Sequence, residues 1–364
     1  MTRILWLSPN FNHYKARFLN HLANADGIEL TLLTGSGRVG KGDFEINENW
    51  DFKQIKSGVL KSKFGLSSIV RKLIYKEYFN YDWVLIPAEK KNLLLLYFLI
   101  FLRFFSKKTK LISYNHPVLK SSSGKTTRTN LFITKLFYRR LDRVIFYTKE
   151  SCEYAIEKKL ITSKKAFWAN NTIDNLEISK YYQFSLPPKD KISILYIGRL
   201  IPSKRVEDII VYFKVIDKRK PGLFELNIIG DGPDRTKIEN LGMSNVIFHG
   251  IMVDEKDIAP LMRNAACVFV PGLSGLSINH AFAYGRPYFT FDSPHHGPEI
   301  VYLEHQKNGL ILENKKDEDC ELIFELLTNA TKIDEFCRNA NEKGNTLSVD
   351  KWVEQMKNNF IVSI

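Results

Sequence analysis

The sequence predicts an α/β protein made of two parallel-sheet units. Short apolar runs alternate with stretches of helical spacing, and this rhythm runs once through each half of the chain. Strands that alternate with helices imply parallel sheets covered on both faces. The length of 364 residues suits two domains at roughly 150 residues each. A hydrophobic fraction of 44 % beside 26 % charged residues describes a core-forming chain and excludes disordered and collagen-like classes.

In the first half, Ile4–Ser8 reads as a strand and residues 10–13 as a polar loop. Tyr14–Ala23 reads as a helix, because Phe18, Leu19 and Leu22 fall on one face. Leu30–Leu33 is a second strand, followed by the glycine-rich stretch Gly35–Gly42. Trp83–Ile86, Lys110–Ser113 and Val144–Tyr147 are further strands, the last followed by a helix through Ala155. Leu93–Leu102 is an apolar run of about half the ~20 residues a membrane span needs, in a helical stretch that reaches Phe105. It reads as a buried helix or, given Lys107, Lys108 and Lys110 behind it, as one resting on a bilayer. The second half restarts with strands at Ser193–Ile197, Glu225–Ile229, Val246–Phe248, Val268–Val270 and Tyr288–Phe291. The stretch Asn175–Lys191, with Pro187 and Pro188, reads as the connection, which puts the domains at 1–174 and 190–347. From Ser348 onward, Val349, Trp352, Val353, Met356 and Phe360 have helical spacing. Two such units make a cleft, and sheets of this kind bind ligands at their strand C-termini.

The net charge is +13, so anionic partners are favoured. Lys53 to Lys76 holds seven basic residues and no acidic one; Arg103 to Arg143 holds eleven basic residues and one acidic. Such runs read as solvated faces, as a surface for an anionic membrane, or as a nucleic-acid surface. No RNA- or DNA-binding signature accompanies them, which makes nucleic acid the weakest of the three. The four cysteines show no CxxC pair, so a zinc site or disulfide framework is not expected and the chain reads as cytoplasmic. The N-terminus turns polar too early for a signal peptide.

Five segments carry the chemistry. In SILYIGRLIPSK a strand ends at Gly198, and Arg199 and Lys204 flank a loop that opens a helix. Two cations there can hold a diphosphate, Arg as a fork and Lys as a point charge; the bland reading is two surface cations. NIIGDGPDR (227–235) and NVIFHGI (245–251) are strand-and-turn segments, the latter ending at Gly250 and Ile251. In VFVPGLSGLSINHAFAYGRP (268–287) a glycine loop leads through Gly275, Leu276 and Ser277 into a helix bearing His280. The amides at that helix start, aided by Ser277, suit an anion. SPHHGPE (293–299) adds His295, His296 and Glu299, without a second pair at metal-ligand spacing, so no metal is expected.

Together these motifs resemble the retaining, GT-B-fold nucleotide-sugar glycosyltransferases of family 4. The matching pieces are GRLIPSK (198–204), GDGPDR (230–235), Phe248-His249-Gly250, PGLSGLSINHAFAYGRP (271–287) and HGPEIVYLEHQKNGLIL (296–312), with NNTIDN (170–175) as the interdomain segment. The N-terminal half matches in rhythm and in His116 of YNHP. The resemblance implies two Rossmann-like domains facing each other across a cleft, the C-terminal one holding the donor. It implies that Arg199 and Lys204 grip the donor pyrophosphate and that Gly198 closes the strand beside them. Gly250 and Ile251 would hold the base, Gly275, Leu276 and Ser277 the phosphate and sugar, and Glu299 would lie near them. His116 would face the donor sugar, Asn12, His13 and Lys15 the acceptor, and the terminal helix 348–364 would cross back to the first domain. The family carries Glu-x7-Glu, whose positions fall here on Gly272 and His280. His280, as a neutral ring, would accept from the ribose hydroxyls in place of the second Glu; Gly272 offers the sugar no side chain.

The activity so implied is hexosyl transfer from a nucleotide-sugar, a UDP-sugar in the first instance, to a saccharide. A lipid-linked acceptor at the inner face of the cell membrane, in bacterial surface polysaccharide synthesis, suits the basic and aromatic first half. No metal or other cofactor is implied, since cations and amides would carry the leaving-group charge. The competing readings are a nucleic-acid binder, a nucleotide-sugar epimerase or phosphorylase, and a non-catalytic relative.

Overall fold

The computed structural model of the chain describes residues 1–11, 13–36, 49–106, 108–119, 126–239 and 243–361, and for His13 and Tyr14 the backbone. Asn12, Lys107, the His13 side chain and residues 37–42 of the glycine-rich stretch therefore lie outside the described residues. The chain divides into two units: residues up to Asn171 with those from Val349 onward, and Thr172–Ser348. Each is built on a wholly parallel sheet, and the fold is GT-B.

The first unit runs β1 (Thr2–Ser8), α1 (His13–Ala23), β2 (Ile28–Thr34), β3 (Lys53–Lys56), α2 (Ser68–Glu77), β4 (Trp83–Leu85), α3 (Leu93–Arg103), β5 (Lys110–Asn115), α4 (Arg128–Arg139), β6 (Arg143–Phe146), α5 (Lys149–Glu157) and β7 (Ala166–Trp168). Its strand order is β3-β2-β1-β4-β5-β6-β7, so the chain reverses direction between β1 and β4. Right-handed crossovers then put α1 on one face and α2 to α5 on the other. Ile4–Leu7 are sealed because the strand is covered on both sides.

The second unit runs α6 (Asn175–Ser179), β8 (Ile192–Ile197), α7 (Val206–Arg219), β9 (Phe224–Ile229), α8 (Arg235–Glu239), β10 (Val246–Gly250), α9 (Glu255–Asn264), β11 (Ala265–Phe269), α10 (Leu276–Ala283), β12 (Tyr288–Phe291), β13 (Gly309–Leu312), α11 (Lys316–Thr328) and α12 (Ala330–Thr346). Its order is β10-β9-β8-β11-β12-β13, with the reversal between β8 and β11. The loops that follow β8 and β11 thus flank the switch point, where a doubly wound sheet opens a crevice at its strand C-termini. The buried Arg286 fastens the underside of this unit. Its guanidinium donates to the carbonyls of Met262, Arg263 and Ser185 and to the Tyr182 hydroxyl.

The last helix, α13 (Val349–Ile361), closes the first unit beside α1. Trp352 meets Phe18 edge-on at 4.8 Å and donates its indole N–H to the Tyr114 hydroxyl at 3.1 Å. The Trp83 indole donates to the Phe360 carbonyl, and the buried Arg143 to that of Asn359. Arg143 is itself held between the rings of Trp83 and Phe167.

The elements read as apolar runs are present, with differences that have physical causes. β11 begins at Ala265, because Ala265 and Cys267 pair with β8 around an irregularity at Ala266 and all three are buried, which overrides alanine's low strand propensity. β3, α2, α4 and β7 arise where the sequence offers charge rather than periodicity; β3 is an edge strand with both ends exposed. Asn175–Lys191 contains α6 and the buried Tyr182. All four cysteines are buried and unpaired. No helix among the described residues is long and apolar enough to cross a membrane.

Because α13 is anchored through a sealed Trp352, Trp352→Ala is expected to cost about 3–5 kcal/mol. Urea unfolding checks this, and an unchanged midpoint would show that the helix is not part of the first unit's core.

Candidate functional site

The site of the second unit starts from three glycines. Gly198 follows β8, Gly230 follows β9 and Gly250 ends β10. The Gly198 amide donates to the Ile229 carbonyl, and the Gly230 amide to that of Gly250. A Cβ at Gly230 would stand 1.9 Å from the Gly198 carbonyl oxygen, so only glycine lets these strand ends lie side by side. Three adjacent strand ends are thereby bare of side chains, and a flat ligand can approach their backbone.

Arg199 and Lys204 stand next to this edge. Arg199 is exposed, and its carbonyl accepts from the Tyr196 hydroxyl at 2.9 Å. Lys204 is half-buried; burial chiefly, and the Arg199 guanidinium after it, pull its ammonium down to about 8. A lysine so placed gains when an anion arrives to share its charge. Arg205, next in the chain, adopts φ 53°, held by Asp208, Asn314 and the face of Phe291. A non-glycine residue in that region is costly and collects where a loop is being aimed.

The β11 loop meets the Lys204 loop across the switch point. The amides of Gly272 and Leu273 donate to the carbonyls of Lys204 and Ser203, and Lys204 Nζ donates to the Leu273 carbonyl at 2.5 Å. A Cβ at Gly272 would stand 2.3 Å from the Ser203 carbonyl oxygen and 2.6 Å from Lys204 Cα. This position, where a Glu of Glu-x7-Glu would fall, therefore has no room for any side chain.

Helix α10 then begins, with Gly275 at its N-cap and no side chain capping it. Ser277 lies inside the first turn rather than at the cap, and its hydroxyl is engaged with Tyr288 at 2.7 Å. The Tyr288 hydroxyl donates to Ser274 at 2.9 Å, which fixes the loop from below. His296 fixes it from the side: Nδ1 accepts from the Ser274 amide at 3.0 Å and Nε2 donates to the Phe291 carbonyl at 2.8 Å. Both partners have fixed polarity, so the ring is neutral with its proton on Nε2. Burial, the main cause, lowers its pKa accordingly. Glu299 is 4 % exposed, and its Oε2 lies 3.3 Å from where a Cβ of Gly275 would be, at the start of α10. The positive end of the helix favours a carboxylate there.

His280 departs from the neutral acceptor expected of it. Its Nε2 lies 3.1 Å from both carboxylate oxygens of Glu255, the first residue of α9. Burial pulls the ring's pKa down, but the charge and hydrogen bond of Glu255 outweigh it, and the net shift is upward. Tyr284 donates to the same carboxylate at 2.8 Å. Glu255 is the residue that sequence reasoning missed. In VDEK it reads as an ordinary acidic helix start, and nothing in the spacing ties it to His280, 25 positions on.

Of the other expected residues, Ile251 is 71 % exposed beyond Gly250. The neighbouring His249 turns inward to Asn227 at 2.7 Å. The structure thus gathers Gly198, Arg199, Lys204, Gly250, Gly275, Leu276, Ser277 and Glu299 around the strand ends and loops of one sheet. His116 and Lys15 belong to the first unit. His116 follows β5, its ring edge-on to Tyr147 at 4.9 Å. Lys15, on α1, has its Nζ 6.0 Å from the Trp6 ring centroid; burial and then Lys61 pull it down to about 8. Among the described residues no three His, Cys, Asp or Glu side chains converge as a metal site. A separate cavity of about 350 Å³, lined by Ile210, Ile238, Glu239 and Phe248, includes neither Arg199 nor Lys204.

Residues 191–329 match the family described as glycosyl transferases group 1. The uncharacterized glycosyltransferase MJ1178 of Methanocaldococcus jannaschii is 30 % identical over 166 residues, 44 % of this chain and 45 % of that protein. The match therefore spans about half the length of that curated relative. The fold extends over the whole chain. Sucrose-phosphate synthase from Thermosynechococcus elongatus superposes with a TM-score of 0.72 at 17 % identity, covering 99 % of this chain and 98 % of that one. Anabaena HepE in complex with UDP gives 0.68 at 16 % identity, covering 99 % of both.

The His280–Glu255 pair gives a signed dependence on pH. A folded pKa raised above the unfolded ~6.5 contributes stability that is complete below that value and lost as pH rises through the folded one. The stability lost in His280→Gln should accordingly be larger at about pH 6 than at about pH 8.5. Urea titrations of both proteins measure it, and an equal loss at the two pH values would contradict the ion pair.

Proposed function

We propose that the protein is a glycosyltransferase that moves a hexosyl group from a UDP-sugar to a saccharide hydroxyl, with retention of configuration. The observation that carries the proposal is the placing of Lys204 and Arg199 beside the glycine-bare ends of β8, β9 and β10, next to the start of α10. The group 1 match over 191–329 and a structural neighbour solved with UDP support it.

In this reading the base lies on the backbone of Gly250 and Ile251, and the diphosphate lies against Lys204, Arg199 and the Leu276 and Ser277 amides. The bond between the anomeric carbon and the diphosphate oxygen breaks, and the acceptor oxygen bonds to that carbon. The acceptor's proton passes to the leaving phosphate, so no protein base is required. The cations and amides meet the charge that develops on the leaving group, without a metal or other cofactor. Glu299, buried beside the start of α10, accepts from sugar hydroxyls in this reading. Glu255, oriented by His280 and Tyr284, supplies the carboxylate that accepts from the ribose diol. His116 and Lys15, with Asn12 and His13, serve the donor sugar and the acceptor from the first unit. The acceptor is a lipid-linked saccharide at the cytoplasmic face of a membrane, in surface glycan synthesis.

Transfer from UDP-sugars to a saccharide acceptor, followed as UDP release, tests the assignment. Arg199→Ala/Lys204→Ala is expected to lose most of the activity at near-native stability and to bind UDP at least 10-fold more weakly, since hydrogen bonds to charged groups contribute about 1.5–3 kcal/mol. Normal turnover by the double variant would overturn it, and conversion of the donor to an isomeric UDP-sugar without acceptor or UDP release would make the protein an epimerase. For Glu255, wild type should bind UDP roughly 10-fold more tightly than 2′-deoxy-UDP. Glu255→Gln should lose that preference; an unchanged preference would remove Glu255 from the donor site.

A further inference from the structure

Helix α3 is apolar on two faces. Leu95, Leu96, Leu99 and Leu102 are sealed against the sheet. On the opposite side Leu94, Tyr97 and Phe101, spaced i, i+3, i+7, are 51, 45 and 54 % exposed, and the stripe continues past the helix end in Phe104 and Phe105 at 81 and 69 %. The water-facing side of a surface helix is normally polar. α2 and the turn at Lys61–Leu66 pack beside α3 and continue the pattern. Ten of the 21 strongly exposed large hydrophobic residues among the described ones fall between Leu60 and Phe105. Patches of this kind mark interaction surfaces.

Cations are interleaved with these side chains. On α2, Ile69, Lys72 and Lys76 follow one another at i, i+3, i+7, with Tyr75 alongside and Phe79 in the turn just past the helix end, while Val70 and Ile74 point into the core. Lys63, Lys72 and Lys76 are exposed and make no ion pair among the described residues. We infer that the outer face of α2 and α3 docks on an anionic lipid bilayer. The rings and aliphatic side chains enter the headgroup and acyl boundary, and the lysines, on flexible stems, meet lipid phosphates. A second copy of the chain would bring like-charged lysines together, which is unfavourable. A nucleic acid would leave Leu94, Ile69 and Leu66 in water. The inference is independent of the transfer reaction, since it concerns binding without donor or acceptor.

Flotation of the full chain with vesicles of phosphatidylcholine, with and without phosphatidylglycerol, tests it. Wild type is expected to float with the anionic vesicles and to be released by salt. Lys63→Gln/Lys72→Gln/Lys76→Gln should partition roughly 100-fold less, at about tenfold for each one to two lysines. Phe101→Ser/Phe104→Ser/Phe105→Ser should lose flotation even at low salt, while keeping the wild-type melting temperature and UDP response. No flotation of wild type at low salt overturns the inference. So does equal flotation of the Phe variant, or its converting a wild-type dimer in solution into a monomer. Flotation without any response to UDP would uphold the docking face and count against the transferase reading alone.

Discussion

The second unit depends on how closely two backbones approach at its switch point. The β11 loop lies directly on the β8 loop, amide to carbonyl at Gly272 to Lys204 and Leu273 to Ser203. That contact exists only because residue 272 has no side chain. It aims Lys204 at the Leu273 carbonyl, helps hold Arg205 in a conformation that non-glycine residues avoid, and delivers the chain to Gly275 at the start of α10. The absence of an acidic residue at 272 is therefore a condition of the site's geometry. A Glu there would have to push the lysine loop away.

The charge that the glutamate pattern would place on the β11 loop and α10 is present from elsewhere. Glu255 arrives from α9 and is fixed by His280 and Tyr284, and Glu299 arrives from the HGPE turn. Glu255 is tied to partners that make sense only in its company. His280 is held toward its charged form by Glu255, whereas His296 is kept neutral by an amide on one nitrogen and a carbonyl on the other. Two histidines of one unit, one on α10 and one in a loop, thus have opposite protonation preferences, set by the polarity of what faces them.

Much of this was legible in the residues. The buried strands announce themselves as apolar runs, and GRLIPSK and the glycine loop point to the edge where Lys204 and Arg199 stand. β3 and α2 were hidden because Lys53–Lys76 reads as a charge run, and its inward residues, such as Val70 and Ile74, are few. The Leu93–Phe105 stretch offered a buried helix or an interfacial one. The structure shows a helix with one face sealed and one exposed, a distinction that composition cannot carry because both faces are apolar. Glu255 could not be found from spacing, since its meaning comes from a tertiary contact. The close packing at Gly272 was equally invisible, because a glycine in a sequence does not say which backbone it will touch.

The central claim is that the glycine-bare strand edge with Lys204 beside it receives a nucleoside diphosphate. Thermal shift of wild type and Lys204→Ala with UDP, GDP, ADP, CMP and a short DNA measures it most directly. A ligand at about 100 times its dissociation constant adds about 2.7 kcal/mol to the folded state, a shift easily seen. The account predicts that UDP stabilises wild type, that this shift shrinks in Lys204→Ala, and that it weakens as pH rises through about 8. Stabilisation by DNA with no response to any nucleotide would contradict it and make the basic surface the protein's working part.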